Sequence, residues 1–157
     1  ETDQTVKAHQ DQARLRNISL NVQLEEDIDI VVDASAFSII LSNFVTNALK
    51  HSPSNSEILI KNDLEDDFLT TLSVIDHGKG IPKKYRDRVF ERFFRVDKGR
   101  AKHSGGTGLG LAISKHLARL MGYEVGMKPN KPNGSRFWIS VNYASSEEEK
   151  SLTPELA

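Results

Sequence analysis

The feature that most restricts this chain is the stretch from Ser104 to Gly122, where Gly105, Gly106, Gly108 and Gly110 run straight into a helical pattern. Leu109, Ile113, Leu117 and Leu120 follow at helical spacing and mark the face expected to be buried. Unpaired amide donors and the positive end of a helix dipole thus lie beside a loop whose backbone can approach a ligand, a setting suited to phosphate oxygens. Taken alone, the same residues also describe a flexible loop before an ordinary amphipathic helix. A dinucleotide fingerprint does not fit, because Asp97 to His103, ahead of the glycines, is polar and basic where a buried strand would stand. The Walker pattern fails too, since no Gly-Lys-Ser/Thr closes the run.

A chain of 157 residues fits one domain with a real core. With 38% hydrophobic and 27% charged residues it reads as soluble and globular, without an apolar run long enough to cross a bilayer. The net charge of -1 points to neither nucleic acid nor an acidic membrane, so neither is an expected partner. The absence of cysteine removes disulfides and thiolate chemistry and fits a reducing compartment, here taken as cytoplasmic. The start at Glu1 suggests a piece of a longer protein, which can itself be membrane-anchored.

Residues 1–17 are polar and read as a loosely held helix or the end of an upstream connection; 18–143 form the expected domain and 144–157 an acidic, mobile tail. Ile18 to Leu24 alternate as a half-buried strand, and Ile30 to Val32 make a second. Asp33 or Ser35 caps a helix whose buried stripe is Phe37, Ile40, Leu41, Phe44 and Ala48. At about 100° per residue, Asn43, Asn47 and Lys50 fall within an arc of roughly 60° beside that stripe. Asparagine is a mediocre helix former, so two of them in mid-helix argue against a merely solvated face.

Ile58 to Ile60 and Phe68 to Ile75 read as a hairpin that runs into Asp76-His77-Gly78-Lys79-Gly80-Ile81-Pro82. Gly78 and Gly80 allow a sharp bend that admits a flat ligand. A carboxylate at Asp76 can accept from an exocyclic amine such as adenine N6 and repels the keto oxygen of guanine, although an Asp-containing turn at a strand end is also a common object. Lys83 to Val89 suggests a short helix. Phe90, Phe93 and Phe94 then suggest core packing that anchors a basic loop, Arg95 to His103, with Arg95, Lys98, Arg100 or Lys102 able to meet phosphates as a lid closes. Glu124 to Lys128, a turn at Pro129 to Gly134 and Arg136 to Val141 make a closing hairpin.

Four stretches in this order resemble the ATP-binding catalytic domain of sensor histidine kinases, in the superfamily shared with gyrase B, Hsp90 and MutL. Asn43 to Ser52 is similar to the N box, Asp76 to Pro82 to the first glycine box, Phe90 to Phe94 to the F box, and Gly106 to Leu111 to the second glycine box. The resemblance implies an α+β fold, a two-layer α/β sandwich of Bergerat type with a mixed sheet covered on one face by helices. It implies ATP and Mg²⁺ as ligands, with Asn47 holding the ion, Lys50 meeting phosphate, Asp76 the adenine amine, and His51 lying near base or sugar. Gly78, Gly80 and Ile81 would border the base, and Gly106, Thr107, Gly108, Leu109 and Gly110 the triphosphate. Asn43, Lys50 and Arg95 are the implied catalytic set.

In the hydrolytic relatives a glutamate stands four residues before the metal ligand and activates water, whereas the amide of Asn43 cannot take a proton. The resemblance therefore implies phosphoryl transfer to a histidine on a dimerisation segment outside this chain, with a response regulator downstream. The alternative is an ATP-binding switch or interaction domain without turnover. Family acceptor histidines are followed by an acidic residue, and none of His9, His51, His77, His103 and His116 is. His116 is expected on the apolar side of its helix. Gly122-Tyr123 departs from the pair of glycines usual at that point.

Overall fold

The computed structural model describes residues 2–25, 28–97 and 106–145. Among these, the chain forms α1 (Thr2–Leu15), β1 (Ser19–Gln23), β2 (Ile28–Ile30), α2 (Ala34–His51), β3 (Glu57–Leu64), β4 (Leu69–Ile75), a 3₁₀ turn (Lys83–Tyr85), α3 (Gly110–Leu120), β5 (Glu124–Pro129) and β6 (Ser135–Ser145). The strands make one mixed sheet in the order β1-β3-β4-β6-β2, and β5 also pairs with β6. β1 and β3 are parallel, while the other pairs are antiparallel. This is the two-layer sandwich that the motifs imply.

The core lies between the sheet and α2. Alternate residues of the strands, Ile58 and Ile60, Leu72 and Val74, and Phe137, Ile139 and Val141, are buried against Phe37, Ile40, Leu41, Phe44, Val45 and Ala48. Phe44 and Phe137 meet with ring centroids 5.7 Å apart, and Phe90 reaches the same ring at 6.0 Å. The opposite face of the sheet is polar: Arg136 donates to Ser73 Oγ at 2.9 Å and to Asp63 Oδ2 at 2.6 Å. The period-two alternation of β3 and β6 thus reports one dry face and one more open, polar one, whereas the central β4 is buried on both faces from Thr70 to Val74.

Asp33 caps α2, its carboxylate accepting from the Ala36 N–H at 2.8 Å. Asp33→Ala is expected to lower stability by about 1 kcal/mol, read from a urea titration; an unchanged midpoint would mean that the cap contributes nothing.

Several expectations are corrected. α1 is docked firmly, with Ala13 fully buried, His9 Nε2 2.9 Å from Ser42 Oγ, and the Arg16 guanidinium donating to the Leu49 and Ser52 carbonyls at the end of α2. The second strand lies at Ile28–Ile30, because it pairs with Tyr143 to Ser145, so the closing strand runs past Val141. Only a 3₁₀ turn forms where a short helix was expected after Pro82. Phe93 is 70% exposed with a φ of 62°, while Phe90 and Phe94 do pack.

The buried face of α3 is also different. Ser114 and Ala118 are fully buried, whereas Ile113 and Leu120 are 45% and 71% exposed and His116 is exposed. The two small residues permit close approach of α3 to the core, Leu111 and Leu117 pack beside them, and of the expected stripe Ile113 and Leu120 are left outside. After Gly122, at a φ of 80°, the Tyr123 N–H returns to the Ala118 carbonyl at 2.8 Å and the chain enters β5 directly. Of the lid, Lys98, Arg100, Lys102 and His103 lie outside the described residues, as does the tail from Ser146.

Candidate functional site

Three separate stretches meet along one edge of α2 between Asn43 and His51, a span of about 12 Å at 1.5 Å per residue. At the first end, the Asn43 amide donates to the Gly110 carbonyl at 2.9 Å and to the Ser114 hydroxyl at 3.1 Å, which binds the start of α3 to α2. Ser114 also donates back to the Gly110 carbonyl at 2.9 Å. One turn along α2, Asn47 is half-buried, and nothing among the described residues hydrogen-bonds its amide. Its oxygen is available to an outside partner.

Lys50 lies beyond Asn47. A Cβ added to Gly106 would stand 2.3 Å from Lys50 Nζ and 3.7 Å from Arg95 Nη2, so two cations close on one backbone position. Partial burial and the Arg95 charge hold the Lys50 pKa below its ordinary value. Like charges held together at a glycine-lined backbone are the electrostatic complement of a polyanion. At Gly108, φ is 71° and an added Cβ would come within 2.9 Å of the Phe93 backbone; the Phe93 N–H donates to the Gly108 carbonyl at 2.8 Å. The two ends of the lid segment are thereby tied together. Thr107 Oγ1 accepts from the Leu109 N–H at 3.4 Å.

At the far end of the edge, the Asp76 loop leans on α2. A Cβ at Gly78 would meet the His51 carbonyl oxygen at 2.4 Å and Asp76 Oδ1 at 3.1 Å. Desolvation of the His51 ring, together with Lys50, Arg16 and Lys79, lowers its pKa against the opposing pull of Asp97. Asp76 is 1% exposed, and its Oδ1 accepts from the N–H groups of Gly78 at 2.9 Å and Ser135 at 3.3 Å. Both bonds fall on Oδ1, and among the described residues none reaches Oδ2. Burial raises the Asp76 pKa, opposed by those two N–H bonds and by His77. A buried carboxylate kept partly unpartnered suits a ligand that brings its own donor.

The structure therefore brings Asn43, Asn47, Lys50, His51, Asp76, Gly78, Arg95, Gly106, Gly108 and Gly110 together along one edge of α2. Gly80 packs against the Gly134 backbone, 3.1 Å from a Cβ built on it, and Ile81 lies against the core, its carbonyl accepting from Arg86 Nε at 3.0 Å. Sequence reasoning missed Arg86, Asn130 and Ser135, which hold the Asp76 loop from outside. Arg86 acts locally, on Ile81 five residues back, but Asn130 and Ser135 stand 54 and 59 residues from Asp76, and no spacing along the chain links them to it.

Residues 32–145 match the family described as "Histidine kinase-, DNA gyrase B-, and HSP90-like ATPase". The chain is 36% identical over 126 residues to the sensor histidine kinase WalK of Bacillus subtilis (strain 168), which is 80% of this chain and 21% of WalK. It thus spans about a fifth of that relative's length. Among solved structures, the mycobacterial sensor histidine kinase MprB superposes with a TM-score of 0.78 at 27% identity, covering 92% of this chain and 93% of that one. Full-length ShkA in complex with AMPPNP gives 0.79 at 28% identity, covering 92% of this chain and 30% of ShkA. With both glycine boxes gathered against the N box on α2, the chain belongs to the histidine kinase-, gyrase B- and Hsp90-like ATPase family, among the catalytic domains of sensor histidine kinases.

Proposed function

We propose that this chain binds ATP with Mg²⁺ and passes the γ-phosphoryl group to a histidine on a dimerisation segment outside it, from which a response regulator is served. The observation that carries this reading is the alignment along α2 of three complementary groups. They are a buried carboxylate with an open oxygen beside His51, a pair of cations over a glycine backbone at Lys50, and an unbonded amide one turn further back at Asn47. Asp76 Oδ2 accepts from the adenine amine; Lys50 and Arg95 offset the phosphate charge; the backbone of 106–110 follows the triphosphate.

Asn47 fits the ion through its amide oxygen, a hard donor. No group of three or more His, Cys, Asp or Glu residues able to hold a metal occurs among the described residues. A single protein ligand is in keeping with an ion that arrives on the nucleotide and keeps much of its coordination from phosphate and water. When bound, Mg²⁺ supplies charge neutralisation between phosphate oxygens. Asn47→Asp is expected to retain nucleotide binding while shifting the metal concentration required by on the order of tenfold, measured by ATP titration at stepped Mg²⁺ and Mn²⁺. A metal response like the parent's would remove Asn47 from this role.

Asn43 favours transfer over hydrolysis. Its nitrogen is committed to Gly110 and Ser114, and an amide has no basic site with which to activate water. Catalysis on this reading is positioning and charge stabilisation. Mixing the chain with a separate histidine-bearing dimerisation segment and labelled ATP tests it: label on the segment supports the kinase. Binding without transfer supports the switch, and steady phosphate release from the chain alone supports a hydrolase.

A further inference from the structure

The end of β4 contains an exchange of hydrogen bonds that involves a residue outside the four motifs. β4 and β6 run in register up to Ile75 opposite Arg136, so Asp76 falls opposite Ser135. The Asp76 N–H donates to the Ser135 carbonyl at 2.9 Å, as an antiparallel ladder requires. The reciprocal donor, the Ser135 N–H, goes to the Asp76 side chain, 3.3 Å from Oδ1. The Asp76 carbonyl has thus lost its ladder partner, and the Asn130 side chain replaces it, Nδ2 donating at 2.9 Å. The second Nδ2 hydrogen is directed towards His77 Nδ1, at 3.3 Å. Asn130 is itself fixed, because its N–H donates to the Gly134 carbonyl at 3.0 Å across the β5–β6 turn.

We infer that Asn130 is a positioning residue that sets base specificity: by satisfying the Asp76 carbonyl it lets the Ser135 N–H hold the carboxylate, and so aims Oδ2 into the groove. The inference rests on the nucleotide reading above. Without the Asn130 donor, the carbonyl competes for the Ser135 N–H, the ladder closes one residue further, and the carboxylate is released from one of its two anchors. The released side chain is then no longer held where it accepts from an amine and opposes a keto oxygen. Asn130 therefore acts on discrimination between adenine and guanine through Asp76, with no contact to the base itself.

The test is direct titration of the parent chain, Asn130→Asp and Asn130→Ala with ATP and with GTP in the presence of Mg²⁺, with thermal melts of each. Asn130→Asp is isosteric and exchanges the donor for an acceptor; Asn130→Ala removes both without adding charge. The expected result is a loss of about tenfold in ATP affinity, a smaller change for GTP, and a narrowed ATP-to-GTP ratio in both variants. Unchanged affinities and ratio overturn the inference. Equal losses for both nucleotides, accompanied by a lowered melting temperature, also overturn it, since they describe a turn that is merely structural. Should the parent chain bind neither nucleotide, the nucleotide reading fails and takes this inference with it, an outcome distinct from the other two.

Discussion

Asp76→Asn is expected to weaken ATP binding by roughly 1 to 3 kcal/mol while leaving the protein at least as stable as the parent at neutral pH. The asparagine carbonyl oxygen can still accept from the Gly78 and Ser135 N–H groups, which both use Oδ1. What changes is the other atom: an NH₂ group takes the place of Oδ2 and meets the adenine amine donor to donor. The stability side follows from the raised Asp76 pKa, caused first by desolvation. Folding favours the neutral acid, so the contribution of this group is fully present below the unfolded-state pKa and is lost as pH rises through the folded one. At neutral pH the charged form is a net cost, which the amide avoids.

The advantage of Asp76→Asn in thermal melts should therefore grow as pH rises through the folded pKa, and calorimetric ATP titrations of the parent alone should weaken as pH falls through it. A variant that melts below the parent at neutral pH would show the carboxylate to be structural. An affinity equal to the parent's would remove the base pocket from Asp76.

Gly134→Ala is expected to have the largest effect on folding, a loss of more than about 3 kcal/mol. Gly134 is buried at a φ of 118°, and a Cβ there would lie 1.9 Å from the Asp76 carbonyl oxygen, 2.8 Å from its carbon and 2.9 Å from His77 Cα. All three atoms are backbone, held by the Asn130 and Ser135 bonds, and cannot step aside singly. The Asp76 loop must move, so ATP binding should fall with stability. Gly122→Ala provides the control, because its φ of 80° is equally foreign to an alanine but nothing lies within 4 Å of the added carbon. It should cost about 1 to 2 kcal/mol. Equal melting temperatures for the two variants would mean that the close approach to Asp76 carries no weight.

The comparison of α2 with α3 shows what patterning can convey. In α2 the buried stripe is made of large apolar residues, and Phe37, Ile40, Leu41, Phe44 and Ala48 all lie where the period puts them. In α3 the same rule selects Leu117, which packs on the core, but also Ile113 and Leu120, which are exposed, because the helix comes closest to its neighbours through Ser114 and Ala118. Small residues that permit close contact and large ones that fill space give opposite readings of a single period. Phe93, expected in the core, is exposed: its backbone stands at a φ of 62°, its N–H donates to the Gly108 carbonyl, and its ring lies outside the core.

The order and spacing of residues within single elements determined most of the strands, though not the bounds of the second and the last, together with the capped helix with its edge of Asn43, Asn47 and Lys50 and the four motifs, since each of these is a property of neighbours along the chain. Only the tertiary structure decided that Asn43 is committed to Gly110 and Ser114, that Asp76 keeps one oxygen open, and that Asn130 replaces a missing ladder bond. Those outcomes depend on hydrogen bonds between residues 54 to 71 positions apart. Which donor reaches which acceptor is fixed by how sheet and helices pack, and no local period carries that information.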